Sequence, residues 1–327
     1  MPEPTRDPKA ALKALGGTKR LLVTTHSVPD GDAIGSELGF AELAEALGVS
    51  VDIVNHDLHP ASLGFLPGLE RIRIASELPA GFEQHYDMAV VLECPGIDRP
   101  GFAGLDRLRV LNIDHHLGNT LYGKVNFVDE EAAAVGEMVL AMAEAAGTTV
   151  TPSMATNLYV ALVTDTGDFR YPNTTPRALA AASRLLMAGA KPAAIAEALW
   201  ENIPARVVRL QAEVLNTLDL LANGRLAVIH CDRTMLDRAG AESRDTEDFI
   251  NIPRAIETVR IVVFLKAFLD GAVRVSFRSR GDLDVEAVAE TFGGGGHRNA
   301  AGCTVAGTLE EVRSRVIEAM WPLLEKR

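Results

Sequence analysis

The first half of the chain alternates short apolar runs with stretches of helical periodicity. RLLVTT (20–25) leads into AIGSELGFAELAEALG (33–48), and VSVDIVN (49–55) is followed by a Pro- and Gly-rich stretch. DMAVVLE (87–93) and RLRVLNID (107–114) come next. Four- to eight-residue apolar runs separated by 3.6-residue patterns predict βαβ units and a parallel sheet. EEAAAVGEMVLAMAEAAG (130–147) and PSMATNLYVALVTDTG (152–167) read as helices, the second opening on Pro152, where a missing N–H is harmless. Asp165 is then expected at a helix C-terminus, facing the sheet edge.

From Thr175 to about Leu221 the pattern is Ala- and Leu-rich and helical, broken by Pro192 and Pro204, which predicts a helical connector. After Gly224 the period changes. RLAVIHCD (225–232) reads as a strand, and TVRIVVFLKAFLDGAVRVSFRSR (258–280) as a hairpin turning at Asp270-Gly271. A helix (DVEAVAETF, 284–292), a glycine run, a short strand (GCTVAG, 302–307) and a last helix from Leu309 complete a second domain. The expected architecture is α/β: an N-terminal parallel-sheet domain over 1–190, a connector over 191–222, and a smaller α/β domain over 223–327.

Residues that bind metals stand just after the apolar runs. His26, Asp30 and Asp32 follow the first, Glu93 follows MAVVL, Asp114-His115-His116 follow LRVLNI, and Asp165 follows LYVALVT. Ligands of open α/β sheets bind beyond the carboxyl ends of the strands, so this placement predicts a two-metal site. Each motif alone has a plainer reading. Asp32 could be a helix N-cap and Asp30 a turn residue, and the histidine pair could be a chance feature of an exposed loop. In FGGGGHRNAAG, glycines permit the positive φ angles of a phosphate-binding nest or simply of a turn.

The segments HSVPDGDAIGS, IDHH, TDTGDFRY and GGGGHRNAAG, in this order across nearly the whole chain, resemble the DHH phosphoesterases with a C-terminal DHHA1 domain. That family includes RecJ exonucleases, NrnA-type nanoRNases and cyclic dinucleotide phosphodiesterases. The compact size is most similar to the NrnA-type branch. The resemblance implies two Mn²⁺ ions, with Mg²⁺ or Co²⁺ as substitutes. His26 and Asp30 are expected to hold one, and Asp32, His115 and Asp165 the other. The bridging position carries Glu93 where the family usually has Asp. An extra methylene moves a carboxylate by about 1 Å, beyond the ~0.5 Å tolerance of a preorganised site, unless the longer side chain changes rotamer.

In this scheme His116 binds a phosphate oxygen or protonates the leaving group, and Asp114 orients an imidazole. Asp168 is expected on the surface or at a helix end. Arg278 and the run Gly294, Gly295, Gly296 and His297 are implied to bind the nucleotide. Hydrolysis on the first domain and recognition on the second suit substrates of two to five nucleotides or 3′-phosphoadenosine 5′-phosphate. Hydrolysis of cyclic di-AMP or pApA is the near alternative, and a nucleotide-binding protein with a drifted metal site is the non-enzymatic one. Family analogy implies a homodimer.

Composition narrows the partners further. A net charge of −12 argues against long duplex nucleic acid, and 5% aromatic residues offer few stacking platforms. A small anionic substrate fits if metal ions supply the positive charge. Cys94, Cys231 and Cys303 lack the spacing of a zinc cluster and are expected as buried thiols. No apolar stretch reaches the ~18 residues of a membrane span and the N-terminal segment lacks signal-peptide features, so the expected location is cytoplasmic.

Overall fold

The computed structural model describes residues 4–269 and 271–325. The chain divides into two compact units, Met1–Asn202 and Ile203–Arg327. The stretch expected to connect them is shared: Ile195 is packed in the first unit's core, and Leu210 and Val214 in the second's.

The first unit is built on strands β1 (Arg20–Thr24), β2 (Ser50–Asn55), β3 (Ile72–Ile74), β4 (Met88–Leu92), β5 (Val110–Asp114) and β6 (Val125–Val128). They form one parallel sheet in the order β3-β2-β1-β4-β5-β6. Its central strands are buried and mostly apolar because both faces are covered. Leu21, Val23, Val90 and Ile113 face one core, while Leu22, Ala89, Val91 and Val110 face another with Phe82, Tyr86 and Phe102. The strand order reverses between β1 and β4, and such switch points are where open α/β sheets bind ligands.

Helices α1 (Pro8–Ala14), α2 (Gly31–Ala46), α3 (Phe82–His85), α4 (Val135–Ala146), α5 (Pro152–Asp165), α6 (Pro176–Met187) and α7 (Pro192–Trp200) complete the unit. Glycines at four-residue spacing on α2 bring it against α5. A Cβ on Gly35 would meet the Asn157 carbonyl oxygen at 2.3 Å, and one on Gly39 would meet Leu158 Cδ2 at 2.4 Å. This close approach sets the start of α2 beside the end of α5. Helix α4 begins at Val135, later than its apolar pattern predicts, because the amides of Val135 and Gly136 are taken by the Asp32 carboxylate.

The second unit holds α8 (Ala205–Leu215), β7 (Asp219–Leu221), β8 (Leu226–Asp232), α9 (Arg233–Ala239) and a 3-10 helix (Ser243–Ile250). After α10 (Asn251–Arg254) come β9 (Ile261–Leu269), β10 (Ala272–Ser279), α11 (Glu286–Thr291), β11 (Gly295–His297), β12 (Ala300–Ala306) and α12 (Leu309–Glu325). The sheet order is β11-β12-β10-β9-β8-β7, parallel between β8 and β9 and antiparallel elsewhere. Asp219–Leu221 corrects the expectation of helix through Leu221. Thr217 Oγ1 donates to the Val214 carbonyl at 2.7 Å and accepts from the His230 amide at 2.9 Å, which ends α8 and starts the edge strand. At the hairpin, Gly271 has φ 72°, as the turn signal requires, and Asp270 lies outside the described residues.

Among the described residues no helix is long and apolar enough to cross a membrane. All three cysteines are buried and free.

Candidate active site

Five segments end at one place. The loop after β1 carries His26 and Asp30, the first turn of α2 carries Asp32, the residue after β4 is Glu93, β5 runs into Asp114-His115-His116, and α5 ends on Asp165. Three overlapping groups of donor atoms result: His26, Asp30 and Glu93; Asp32, His115 and Asp165; and Glu93, His115 and His116. Within each group the atoms lie within 4.8 Å of one another.

The side chains are held by backbone. Asp30 caps α2, accepting from the Ala33 amide at 3.0 Å. Asp32 caps a different helix: it is fully buried and accepts from Val135 N at 2.7 Å, Gly136 N at 3.0 Å and Ser36 Oγ at 2.8 Å. The capping role open to Asp32 on its own helix thus falls to Asp30. His115 Nδ1 contacts the Ala132 carbonyl at 3.0 Å, which assigns the proton to Nδ1 and turns the Nε2 lone pair inward. His26 Nδ1 meets the Ser27 carbonyl at 2.8 Å in the same manner. His116 Nδ1 meets Asp114 Oδ1 at 2.8 Å, and Asn119 Nδ2 donates to Asp114 Oδ2 at 2.5 Å. Asn119 is in turn fixed by Asn112 Nδ2 at 3.0 Å and the Leu121 amide at 2.8 Å.

Glu93 occupies the middle. It is 3% exposed and has φ 57°, a left-handed conformation rare outside glycine and found at strained functional positions. Its Oε2 is 2.8 Å from His26 Nε2, and its Oε1 is 3.9 Å from His116 Nε2 and 4.0 Å from His115 Nε2. One carboxylate therefore faces both donor groups.

The donor set fits divalent cations. Asp32, Asp165 and Glu93 stand 3.8, 3.9 and 4.0 Å from His115 Nε2, too far for hydrogen bonds. Two donors each about 2.1 Å from one ion are at most about 4.2 Å apart, so these separations suit a shared cation. With Nδ1 protonated, His26 Nε2 and a carboxylate oxygen are both acceptors, and their 2.8 Å contact needs a proton or a cation between the two groups. Imidazole with carboxylate is a donor set that accepts Mn²⁺ among several ions.

Electrostatics agree. Burial, opposed by His115, pushes the Asp32 carboxyl up to about 7. Burial and then Asp32 and Asp30 hold Glu93 well above the carboxylate range. His115 rises to about 8 because Asp32, the Ala132 carbonyl, Asp165 and Glu93 outweigh its burial. The cluster has more anion than its imidazoles neutralise.

Residues 20–162 match the DHH family, N-terminal domain, and residues 224–326 match the DHHA1 domain. Over 312 residues the chain is 37% identical to the bifunctional oligoribonuclease and PAP phosphatase NrnA of Thermus thermophilus, covering 94% of this chain and 91% of that protein. The chain belongs to the DHH family. This DHH protein is also 26% identical to the NrnA of Bacillus subtilis over 87% of its own length and 89% of the relative. In structure it is similar to an exopolyphosphatase-related protein from Bacteroides fragilis, with a TM-score of 0.83, 25% identity and 98% of both chains covered.

Among the described residues, Asp168, Arg278 and the run of residues 294–297 of the DHH protein belong to none of these donor groups. Asp168 is exposed, and Asp87 accepts the Lys19 and Arg20 amides at the opposite end of β4. Gly295–His297 form the exposed edge strand β11, in which His297 pairs with Ala300, itself opposite Arg278. The glycines make this pairing fit: a Cβ on Gly294 would lie 2.1 Å from the Gly302 carbonyl oxygen. Arg278 is half-buried and lines a cavity of about 490 Å³. Sequence reasoning missed Asn112 and Asn119, although Asn119 closes the segment IDHHLGN, and it missed the other basic residues beside Arg278.

Proposed function

We propose a substrate range and a metal for this chain, a hydrolase of phosphoester bonds by its family. We propose that it hydrolyses short oligoribonucleotides and 3′-phosphoadenosine 5′-phosphate with two Mn²⁺ ions, residues 1–190 forming the hydrolytic domain and 223–327 the substrate-binding domain. The observation that carries this reading is Glu93, whose two oxygens face His26 on one side and His115 and His116 on the other. The longer side chain thus spans the bridging position from a left-handed backbone.

His26, Asp30 and Glu93 would hold one cation, and Asp32, His115 and Asp165 the second. The chemistry that two divalent cations supply in such a site is activation of water and neutralisation of the phosphoryl oxygens. Asp114 and Asn119 fix the His116 ring through Nδ1, so the ring, when it also carries a proton on Nε2, donates that proton to the leaving oxygen or a hydrogen bond to a phosphate oxygen. Arg278 offers a planar fork to a substrate phosphate, and Gly294, Gly295, Gly296 and His297 line the nucleotide.

The test is hydrolysis of a 5-mer RNA, 3′-phosphoadenosine 5′-phosphate, pApA and cyclic di-AMP by the full chain with Mn²⁺, Mg²⁺ and Co²⁺, and with chelator. Turnover of the first two with Mn²⁺ and its loss on chelation are expected. No hydrolysis of any substrate sinks the reading. Exclusive turnover of cyclic di-AMP replaces it with the cyclic dinucleotide alternative. Glu93→Asp sharpens the outcome: the shorter arm withdraws the carboxylate by about 1 Å and lowers kcat, whereas a gain in rate would mean a site detuned by the extra methylene.

A further inference from the structure

The two donor groups of the first unit are held by different parts of the fold. His26 and Asp30 are fixed by their own neighbours, the Ser27 carbonyl and the Ala33 amide. Asp32 and His115 are fixed by one remote loop, between β6 and α4: its Val135 and Gly136 amides hold Asp32, and its Ala132 carbonyl holds His115 Nδ1. Asp165 is tied to the same loop through Asn173. The Asn173 Nδ2 group donates to the Ala133 carbonyl at 3.1 Å, to the Asp165 carbonyl at 3.1 Å and to Asp165 Oδ2 at 3.3 Å. All three partners are acceptors, which assigns the orientation of the amide.

Four residues further on, Arg177 closes the loop at both ends. Its Nη1 donates to Asp129 Oδ2 at 2.8 Å and its Nε donates to Glu137 Oε1. Each carboxylate uses its other oxygen on loop backbone: Glu137 Oε2 accepts from the Ala133 amide at 2.9 Å, and Asp129 Oδ1 from the Glu131 amide at 3.2 Å. Both acids are buried, so loss of their cation leaves charge uncompensated. Arg6 also reaches Asp129, at 3.5 Å, but among the described residues Arg177 is the one cation paired with both acids. Attachment of α6 does not require it. Thr175 caps that helix, accepting from the Ala178 amide at 3.1 Å, and Ala178, Ala181 and Leu185 pack into the core.

We propose that Asn173 and Arg177 form a clasp that sets one donor group alone, that of Asp32, His115 and Asp165. Asn173 positions Asp165 directly. Arg177 acts through Asp129 and Glu137, whose separation fixes the loop that carries the Ala132 carbonyl and the Val135 and Gly136 amides. Both are positioning residues, and the proposal rests on the two-cation reading above. Its consequence is selective: the cation held by Asp32, His115 and Asp165 depends on the clasp, and the cation held by His26 and Asp30 does not. A planar guanidinium suits the task because one fork spans two carboxylates that a single ammonium cannot hold together.

The experiment measures Mn²⁺ uptake by the full chain in calorimetry, with Asp30→Asn and Asp165→Asn assigning the two binding steps. Arg177→Met and Asn173→Ala are each expected to weaken the Asp165-dependent step about 10- to 100-fold and to leave the Asp30-dependent step unchanged. Arg177→Lys keeps a charge against the buried acids, so it holds the fold and recovers part of the loss. An Asp165-dependent step left unchanged in either variant overturns the clasp, as does an equal loss at both steps, which marks a general lesion of the fold. A second readout needs no metal: the His115 tautomer, from ¹⁵N NMR at about pH 10, above the His115 transition. The wild-type ring keeps its proton on Nδ1 against Ala132, and Arg177→Met should mix the two tautomers while His26 stays as in the wild type. Should the wild-type chain take up fewer than two Mn²⁺, the two-cation reading fails, and the tautomer decides the clasp: an unchanged His115 in Arg177→Met overturns it.

Discussion

The two units collect charge of opposite sign and hold it in opposite ways. In the first, acids and imidazoles sit at strand and helix ends, and several are tied to backbone: Asp32 to two α4 amides, His115 to the Ala132 carbonyl, Asp30 to the α2 start. In the second, Lys266 and Arg274 face each other across a sheet on long side chains, neither in a salt bridge among the described residues. The first arrangement fixes atoms to within the tolerance that bond making demands. The second leaves two like charges facing each other, with Glu247 and Asp248 lining the same cavity. The two arrangements therefore have different sensitivities to mutation.

The largest separation between the two is expected from His115→Ala. Removing a donor shared by two of the three groups should lower hydrolysis by more than the roughly 10- to 100-fold typical of outer-shell changes, and reduce Mn²⁺ uptake measured by calorimetry. Binding of pApA with chelator should survive, and its loss would merge the two regions functionally. Next comes Asn119→Ala, which frees Asp114 and the His116 ring. A fall in kcat of about 10- to 100-fold with KM held is expected, and partial rescue by Asn119→Gln is not, because the longer amide cannot keep both its partners. A KM effect alone would move His116 from proton transfer to binding.

Gly35→Ala tests whether the close packing of α2 on α5 sets the site. The new methyl would lie 2.3 Å from the Asn157 carbonyl oxygen, so the helices must separate. Overpacking of this kind costs about 1–3 kcal/mol, read from urea denaturation, and Mn²⁺ affinity should fall with it because Asp32 and Asp165 move apart. Stability lost without any change in Mn²⁺ affinity would disconnect packing from the site.

The smallest expected effect is on the metal-free protein as pH changes. Asp32 at about 7 and Glu37 at about 8 lie above ordinary carboxyl values through burial, and His115 at about 8 lies above its ordinary value. In each case the folded state binds more protons than the unfolded one, so stability falls as pH rises from about 4 to about 8. Thermal unfolding should drop by about 2–4 °C for each kcal/mol lost, and Mn²⁺ should flatten the slope. A Tm that rises over this window in the metal-free protein contradicts the burial of these groups.

Much of the first unit was legible in the chain because parallel strands covered on both faces are continuously apolar, and the residue after each run lands at the carboxyl edge. That places His26, Glu93 and His115 together once the strands are adjacent. Partners distant in sequence were not legible. Asp32 caps α4 from more than a hundred positions away, which shifted the start of that helix and exchanged the capping roles of Asp30 and Asp32. Edge strands β6 and β7 were missed because VNFV is short and DLL follows a helical pattern without a break. In the second unit, RVSFRSR displays the alternation of Arg274 and Arg278, yet the opposition of Lys266 depends on hairpin register, which the turn alone does not set.

The bond between Asp32 and the start of α4 has a further consequence. A carboxylate whose two oxygens hold the amides of Val135 and Gly136 makes those amides reporters of what else the carboxylate binds. Drawing Asp32 toward a cation redistributes its electron density away from those N–H groups. Amide hydrogen exchange at Val135 and Gly136 then reads occupancy of the site from inside the fold, with neither substrate nor turnover required.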